Sequence, residues 1–284
     1  MVTKQLDCNL VLQPGPMASA TDVWRQRHET MTSMSSSQIS GHPGVTAEHD
    51  AYGQEILNCY KGVSTYEVVE REDGFIDIGS ALPYFQGFEN WPLHEREAIQ
   101  RARGRILDIG CGAGRVALHL QSRGYRVLAI DNSPLAVKVA KLRGVKAAQV
   151  LSIDEIQTLR DKYGTIVLYG NNFGLFGGMT KARRLLAAMH RITTPDALII
   201  AATTDPYGTH DPVHLSYHQR NRDRGRMAGQ IRLRIRYRQF CGHWFDYLLA
   251  SQDEVRSMIE KTRWFISDIV ESRGPGFVTI LKKA

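Results

Sequence analysis

From Gly104 onward, apolar positions alternate between short continuous runs and helical repeats. The runs 106–109, 126–130, 145–151, 165–169 and 197–203 read as buried strands, the third weakened by Lys146 and Gln149. Between them, 116–122, 133–142 and 180–191 read as helices, with Ser133-Pro134 as a start signal and Gly144 as a stop. Strand–helix alternation of this kind predicts right-handed crossovers and a mostly parallel sheet. A helix over 251–262, with Ser251 as cap and acids at 253 and 254, precedes two closing strands at 265–271 and 277–282.

Upstream, Tyr52, Ile56, Leu57 and Tyr60 have helical spacing over 47–60, and Val68–Glu70 and Phe75–Ile78 flank an Asp73-Gly74 turn. An aromatic segment follows (Tyr84, Phe85, Phe88, Trp91), then a helix over 93–102. Residues 230–238 alternate with period two: Ile231, Leu233, Ile235 and Tyr237 share one face, Arg232, Arg234, Arg236 and Arg238 the other. This half-buried strand is expected to pair with 244–249. The chain therefore divides into an arm (1–47, poor in buried-face pattern), a cap or lid (48–103), a core (104–204), a substrate-side insertion (205–249) and a closing helix and strand pair (250–284).

Composition is that of an ordinary globular protein, 43% hydrophobic and 23% charged over 284 residues. No run is long enough for a bilayer span, and Asp7 and Asn9 interrupt the one apolar stretch near the N-terminus, so neither membrane association nor a secretion signal is expected. Four scattered cysteines point to a reduced, cytoplasmic compartment and give no metal-ligand set. The net charge is +7, and Arg220–Arg238 supplies all of it, with eight arginines and one acid. A local anionic partner fits this better than a nucleic-acid track along the whole molecule.

The densest chemistry lies in Ile106-Leu-Asp-Ile-Gly-Cys-Gly-Ala-Gly-Arg115. A buried strand meets Gly110, Gly112 and Gly114, where missing side chains let a ligand approach the backbone. The next acid at a strand end, Asp131, is placed to accept both hydroxyls of a ribose. A dinucleotide fingerprint would need glycine at 115, where this chain has Arg115. The loop with Asp108 two residues ahead of it, Asp131-Asn-Ser-Pro134 and Tyr169-Gly-Asn-Asn-Phe173 resemble class I S-adenosylmethionine-dependent methyltransferases, from about residue 49 to the C-terminus.

That resemblance implies a Rossmann-like α/β fold: a seven-stranded, mostly parallel sheet with helices on both faces, plus a β-hairpin insertion after the fifth strand. It implies S-adenosyl-L-methionine as cofactor, S-adenosyl-L-homocysteine as product, and a donor site of Asp108, Gly110, Cys111, Gly112, Gly114, Asp131, Asn132, Ser152, Ile153, Asp154 and Asn171. On the acceptor side, His210, His214, Tyr217 and Asn171 are the catalytic candidates. Tyr84, Phe85, Trp91, Asn172, His218, Arg232, Arg234 and Arg236 are the substrate-binding ones. The expected partner is a small molecule or short peptide, with an anionic group if the arginines face it. RNA methylation and a noncatalytic donor-binding scaffold are the alternatives, and a dehydrogenase is disfavoured by Arg115.

Overall fold

The computed structural model describes residues 45–284, so the expected arm lies almost wholly outside the described residues. Helix α1 (Ala51–Tyr60) starts at Asp50, whose Oδ1 accepts from the Gly53 N–H at 3.0 Å. Its Oδ2 accepts from the Ser133 hydroxyl (3.0 Å) and the Leu135 N–H (3.1 Å). One carboxylate thus caps two helices and ties α1 to the core. The hairpin β1 (Glu67–Arg71) and β2 (Ile76–Gly79) follows, then single helical turns at Leu82–Phe85 and Phe88–Asn90, and α2 (Leu93–Ile99).

The core alternates as the apolar pattern requires: β3 (Ile106–Ile109), α3 (Arg115–Ser122), β4 (Val127–Asp131), α4 (Pro134–Leu142), β5 (Ala148–Val150), β6 (Tyr163–Leu168), α5 (Met179–Arg191) and β7 (Thr193–Thr204). The insertion holds α6 (Pro212–Asp223), β8 (Gln230–Tyr237), β9 (Phe240–Cys241) and β10 (Phe245–Leu248). Helix α7 (Gln252–Ile259), β11 (Trp264–Glu271) and β12 (Gly276–Lys283) close the chain. The fifth strand is longer than its apolar run, and the weak third strand shrinks to three residues at the sheet edge.

The main sheet has seven strands in the order β11-β12-β7-β6-β3-β4-β5, with β12 antiparallel to both its neighbours. Alternate residues bury opposite ways. Leu107, Ile166 and Ile199 pack with Leu185 and Met189 of α5 and Val255 of α7. Ile106, Val167 and Ile200 pack with Ile99 of α2 and Val116 and Leu120 of α3. The order reverses at β3, since β4 lies on one side of it and β6 on the other. In open α/β sheets such a reversal opens a crevice at the carboxyl ends of the strands.

A second sheet, in the order β10-β8-β1-β2 with β9 on β8, was not foreseen as one unit. The Asp73-Gly74 hairpin and the arginine-rich strand carry no sign of each other in the sequence, yet β1 and β8 pair in register Val69↔Ile235 and Arg71↔Leu233. Its inner face packs on α1, where Tyr237 Oη accepts from Asn58 Nδ2 at 3.0 Å. Among the described residues no helix is long and apolar enough to cross a membrane.

Glu55 of α1 and Glu67 of β1 meet in this packing, both buried. Glu55 Oε1 accepts from the Ala81 N–H, and the second oxygen of each carboxyl is buried without a hydrogen-bond partner. Burial, then the Glu55 charge, pushes Glu67 up to about 8. The unfolded chain releases the Glu67 proton in the ordinary carboxylic range, so it binds fewer protons than the folded protein from there to about pH 8. Stability should therefore fall as pH rises through this window and level off above it. Glu67→Gln should flatten the upper part of the curve, read as melting temperature against pH. An unchanged slope would show that the pair holds no proton.

Candidate functional site

The turn after β3 is held from outside. Asn172 Nδ2 donates to the carbonyls of Ile109 (3.1 Å) and Gly110 (2.8 Å), and a Cβ on Gly110 would lie 2.4 Å from that nitrogen. Gly114 begins α3 at φ +82°, and its Cβ would lie 2.6 Å from Val145. Both positions combine a left-handed backbone with a filled space, so only glycine serves there.

Asp131, at the tip of β4, reaches across to this turn. Its Oδ2 accepts from the Gly112 N–H and its Oδ1 from the Ser133 N–H, both at 2.9 Å. A carboxylate has more lone pairs than these donors use, so Asp131 can still accept from a ligand hydroxyl. Burial raises Asp131 to about 6, although the backbone donors pull the other way. Burial also raises Asp108 to about 7, opposed chiefly by Arg115. Asp108 Oδ2 is buried without a hydrogen-bond partner. Two buried carboxyls at a crevice, one with an unmet oxygen, favour a ligand that brings hydroxyls and positive charge.

Aromatic side chains roof the turn. A Cβ on Gly112 would stand 3.0 Å from the Tyr52 hydroxyl and 3.9 Å from the Tyr84 ring. Tyr52 and Tyr84 meet edge to face at 5.4 Å and hydrogen-bond to each other. Tyr247 of β10 donates to the Asn171 carbonyl at 2.5 Å, and its ring fills the space beside Gly174. Arg143 of α4 pins the roof: it donates to the carbonyls of Ala113 (2.5 Å), Tyr84 (3.2 Å) and Phe85 (3.3 Å) and lies 4.8 Å from the Phe85 ring. On the other flank Arg115 pairs with Glu95 at 2.7 Å and stacks on Trp91 at 4.7 Å. Glu95 Oε1 also accepts from the Gly170 N–H.

The sequence-derived candidates scatter around this centre. Asp108, Gly110, Cys111, Gly112, Gly114, Asp131 and Tyr84 converge on the turn. Cys111 is buried there and its thiol is raised by burial. Asn132 is exposed. Ser152 caps the helical turn that contains buried Ile153, and Asp154 pairs with Lys181 and Arg184 of α5. Asn171 stands at positive φ with its Oδ1 accepting from the Thr204 hydroxyl, whereas Asn172, expected on the substrate, braces the glycine turn. Phe85 and Trp91 are engaged by Arg143 and Arg115.

His214 and Tyr217 of α6 gather at the opposite end of the second sheet's inner face. Arg71 pairs with Asp73, donates to His214 Nδ1 at 3.0 Å and lies 4.2 Å from the Tyr217 ring. His218 is buried, with its ring 6.2 Å from that of Tyr207, and His210 is exposed. Arg232, Arg234 and Arg236 lie on the outer face, in ion pairs with Asp246 and Glu70. They do not form the expected wall over the crevice, because the alternate residues Leu233 and Tyr237 take the inner face. Sequence reasoning missed Tyr52, Tyr247, Glu95 and Arg143. The available signal was Asp50 as an N-cap, which puts Tyr52 in the first turn of its helix.

Residues 107–201 match the family model of a methyltransferase domain. A crystallised S-adenosylmethionine-dependent methyltransferase from Bacteroides fragilis, in complex with S-adenosyl-L-homocysteine, superposes with a TM-score of 0.72 at 27% identity, over 85% of this chain and 98% of that one. The chain carries a class I S-adenosylmethionine-dependent methyltransferase domain. Two ubiquinone biosynthesis O-methyltransferases resemble this domain: that of Xanthomonas oryzae pv. oryzae at 31% identity over 36% of this chain, and that of Rickettsia conorii at 32% over 41%. The chain spans 38% and 39% of the length of these two relatives. The methyltransferase domain fits its donor on the evidence of its own residues, since Asp131 has free lone pairs for a ribose and Asp108 an unmet oxygen near the turn.

Proposed function

We propose that this chain transfers a methyl group from S-adenosyl-L-methionine to an oxygen of a small, flat acceptor held beneath the second sheet. The observation that carries the reading is the roof of Tyr52, Tyr84 and Tyr247 over a glycine turn flanked by two buried acids. Aromatic walls exclude water and stack on a planar ring. The two relatives named as O-methyltransferases of ubiquinone biosynthesis support oxygen as the target.

When bound, the donor supplies a methyl group already activated on sulfonium, so the chain's work is alignment and desolvation. Asp131 holds the ribose and Asp108 faces the donor's positive charge. Asn171, fixed by Tyr247 and Thr204, marks the crevice mouth at the end of β6. His214 stays with Arg71 and Phe75, away from the glycine turn. Arg71 can only donate, so His214 Nδ1 accepts and the ring's proton sits on Nε2, which makes it a donor rather than a base. The acceptor hydroxyl would lose its proton to water before the aromatic walls cover it, so that its oxygen would meet the methyl carbon as an anion and take it from sulfur. Incubating the protein with isotopically labelled donor and a panel of phenols and catechols should give labelled methyl ethers by mass spectrometry. No labelled ether from any of them, with label instead entering amines, peptides or RNA offered in parallel, would refute the oxygen reading.

A further inference from the structure

The arginine-rich strand is not used by this chemistry, and its outer face has a composition of its own. Cross-strand register sets Ile76, Glu70 and Arg234 in one row, and Ile78, Val68 and Arg236 in the next. Arg232 and Asp246 form a third. Six arginines border this face (Arg224, Arg226, Arg232, Arg234, Arg236, Arg238) against three carboxylates. Glu72 is shared by Arg224 and Arg226, Asp246 by Arg226 and Arg232, and Glu70 by Arg234 and Arg236. Arg238, exposed at the end of β8, has only the Tyr237 ring. Beside this positive excess, Ile76 and Ile78 on the edge strand are 58% and 68% exposed, and Tyr66, just before β1, and Leu82, in the turn after β2, are each 65% exposed. Trp244 lies under Arg234 at 4.5 Å.

We propose that the outer face of the second sheet docks this protein on an anionic membrane surface. Guanidinium groups suit phosphate head groups, and the aliphatic and aromatic side chains beside them can enter the acyl boundary. A nucleic acid would gain from the arginines, but two exposed isoleucines offer its phosphates and bases nothing. The absence of a spanning helix among the described residues concerns crossing a bilayer, not lying on one. Charge placement agrees: the excess of the whole sequence resides in Arg220–Arg238.

The test is co-sedimentation of the full chain with vesicles of phosphatidylcholine alone or mixed with phosphatidylglycerol. Two variants are needed, Arg232→Gln/Arg236→Gln/Arg238→Gln and Ile76→Ser/Ile78→Ser. The arginine changes strand no acid, since Asp246 keeps Arg226 and Glu70 keeps Arg234. Donor affinity, measured in parallel, should be the same in all three proteins and reports folding independently of any methyl acceptor. Binding to the anionic vesicles only, weakened by added salt, is expected. It should fall about a hundredfold in the arginine variant, at about 1 kcal/mol per arginine near the surface. The isoleucine variant should bind several-fold more weakly. Equal binding to both vesicle types, or none, would overturn the proposal. So would isoleucine changes without effect together with displacement of the protein from vesicles by single-stranded RNA, which would make the face a nucleic-acid surface.

Discussion

Glu95→Ala is expected to lower the unfolding free energy by about 3–5 kcal/mol, the range found when one partner of a buried ion pair is removed. The Arg115 side chain is only 10% exposed and that of Glu95 only 5%. Truncating Glu95 leaves a guanidinium under Trp91 without its ion-pair partner, with only Asp108 to answer its charge, and leaves the Gly170 N–H without its acceptor. Glu95→Gln keeps an acceptor for that N–H and should cost less. Adding Arg115→Leu to Glu95→Ala should recover part of the loss, because the stranded charge is gone. Urea unfolding of the three variants measures this, and a loss below about 1 kcal/mol for Glu95→Ala would show that water reaches Arg115.

The parts of the fold that depend on local pattern were legible. Strands β3 to β7 follow from continuous apolar runs, and the turn at Gly110–Gly114 follows from missing side chains that any backbone-hugging ligand demands. The joining of β1 to β8 was not legible, because it pairs residues more than 160 positions apart and neither strand carries a mark of its partner. The same gap hid the roof. Tyr247 lies on a short strand whose inner face is known only once the second sheet is assembled, and Tyr52 reads as one apolar position of a helix. Period-two alternation placed the four arginines on one face but could not say which face the core would take. Leu233, Ile235 and Tyr237 are the apolar set, so the core took them and left the arginines outside.

Asp131→Ala should weaken donor binding about ten- to hundredfold for each ribose hydrogen bond lost, at about 1.5–3 kcal/mol for a charge-assisted bond. The interaction is also tied to pH. With Asp131 at about 6 and Asp108 at about 7, each carboxyl is partly protonated at neutral pH or below when the crevice holds no cation. A donor with sulfonium and ammonium groups favours the ionised forms, so binding releases protons. Affinity for S-adenosyl-L-methionine should therefore rise from about pH 5 to about pH 8 and then level. The demethylated product lacks the sulfonium and should show a shallower rise. Asp108→Asn should flatten the upper part of the profile, because the group titrating at about 7 is removed.

Calorimetric titration of S-adenosyl-L-methionine into the wild-type protein and Asp131→Ala, at about pH 5.5 and pH 8, tests the donor site most directly. Saturable one-site binding that is tighter at the higher pH, strongly weakened in the variant and not reproduced by NADH is the expected result. Equal donor affinity in a folded Asp131→Ala protein, or NADH binding as tight as the donor's, would contradict it.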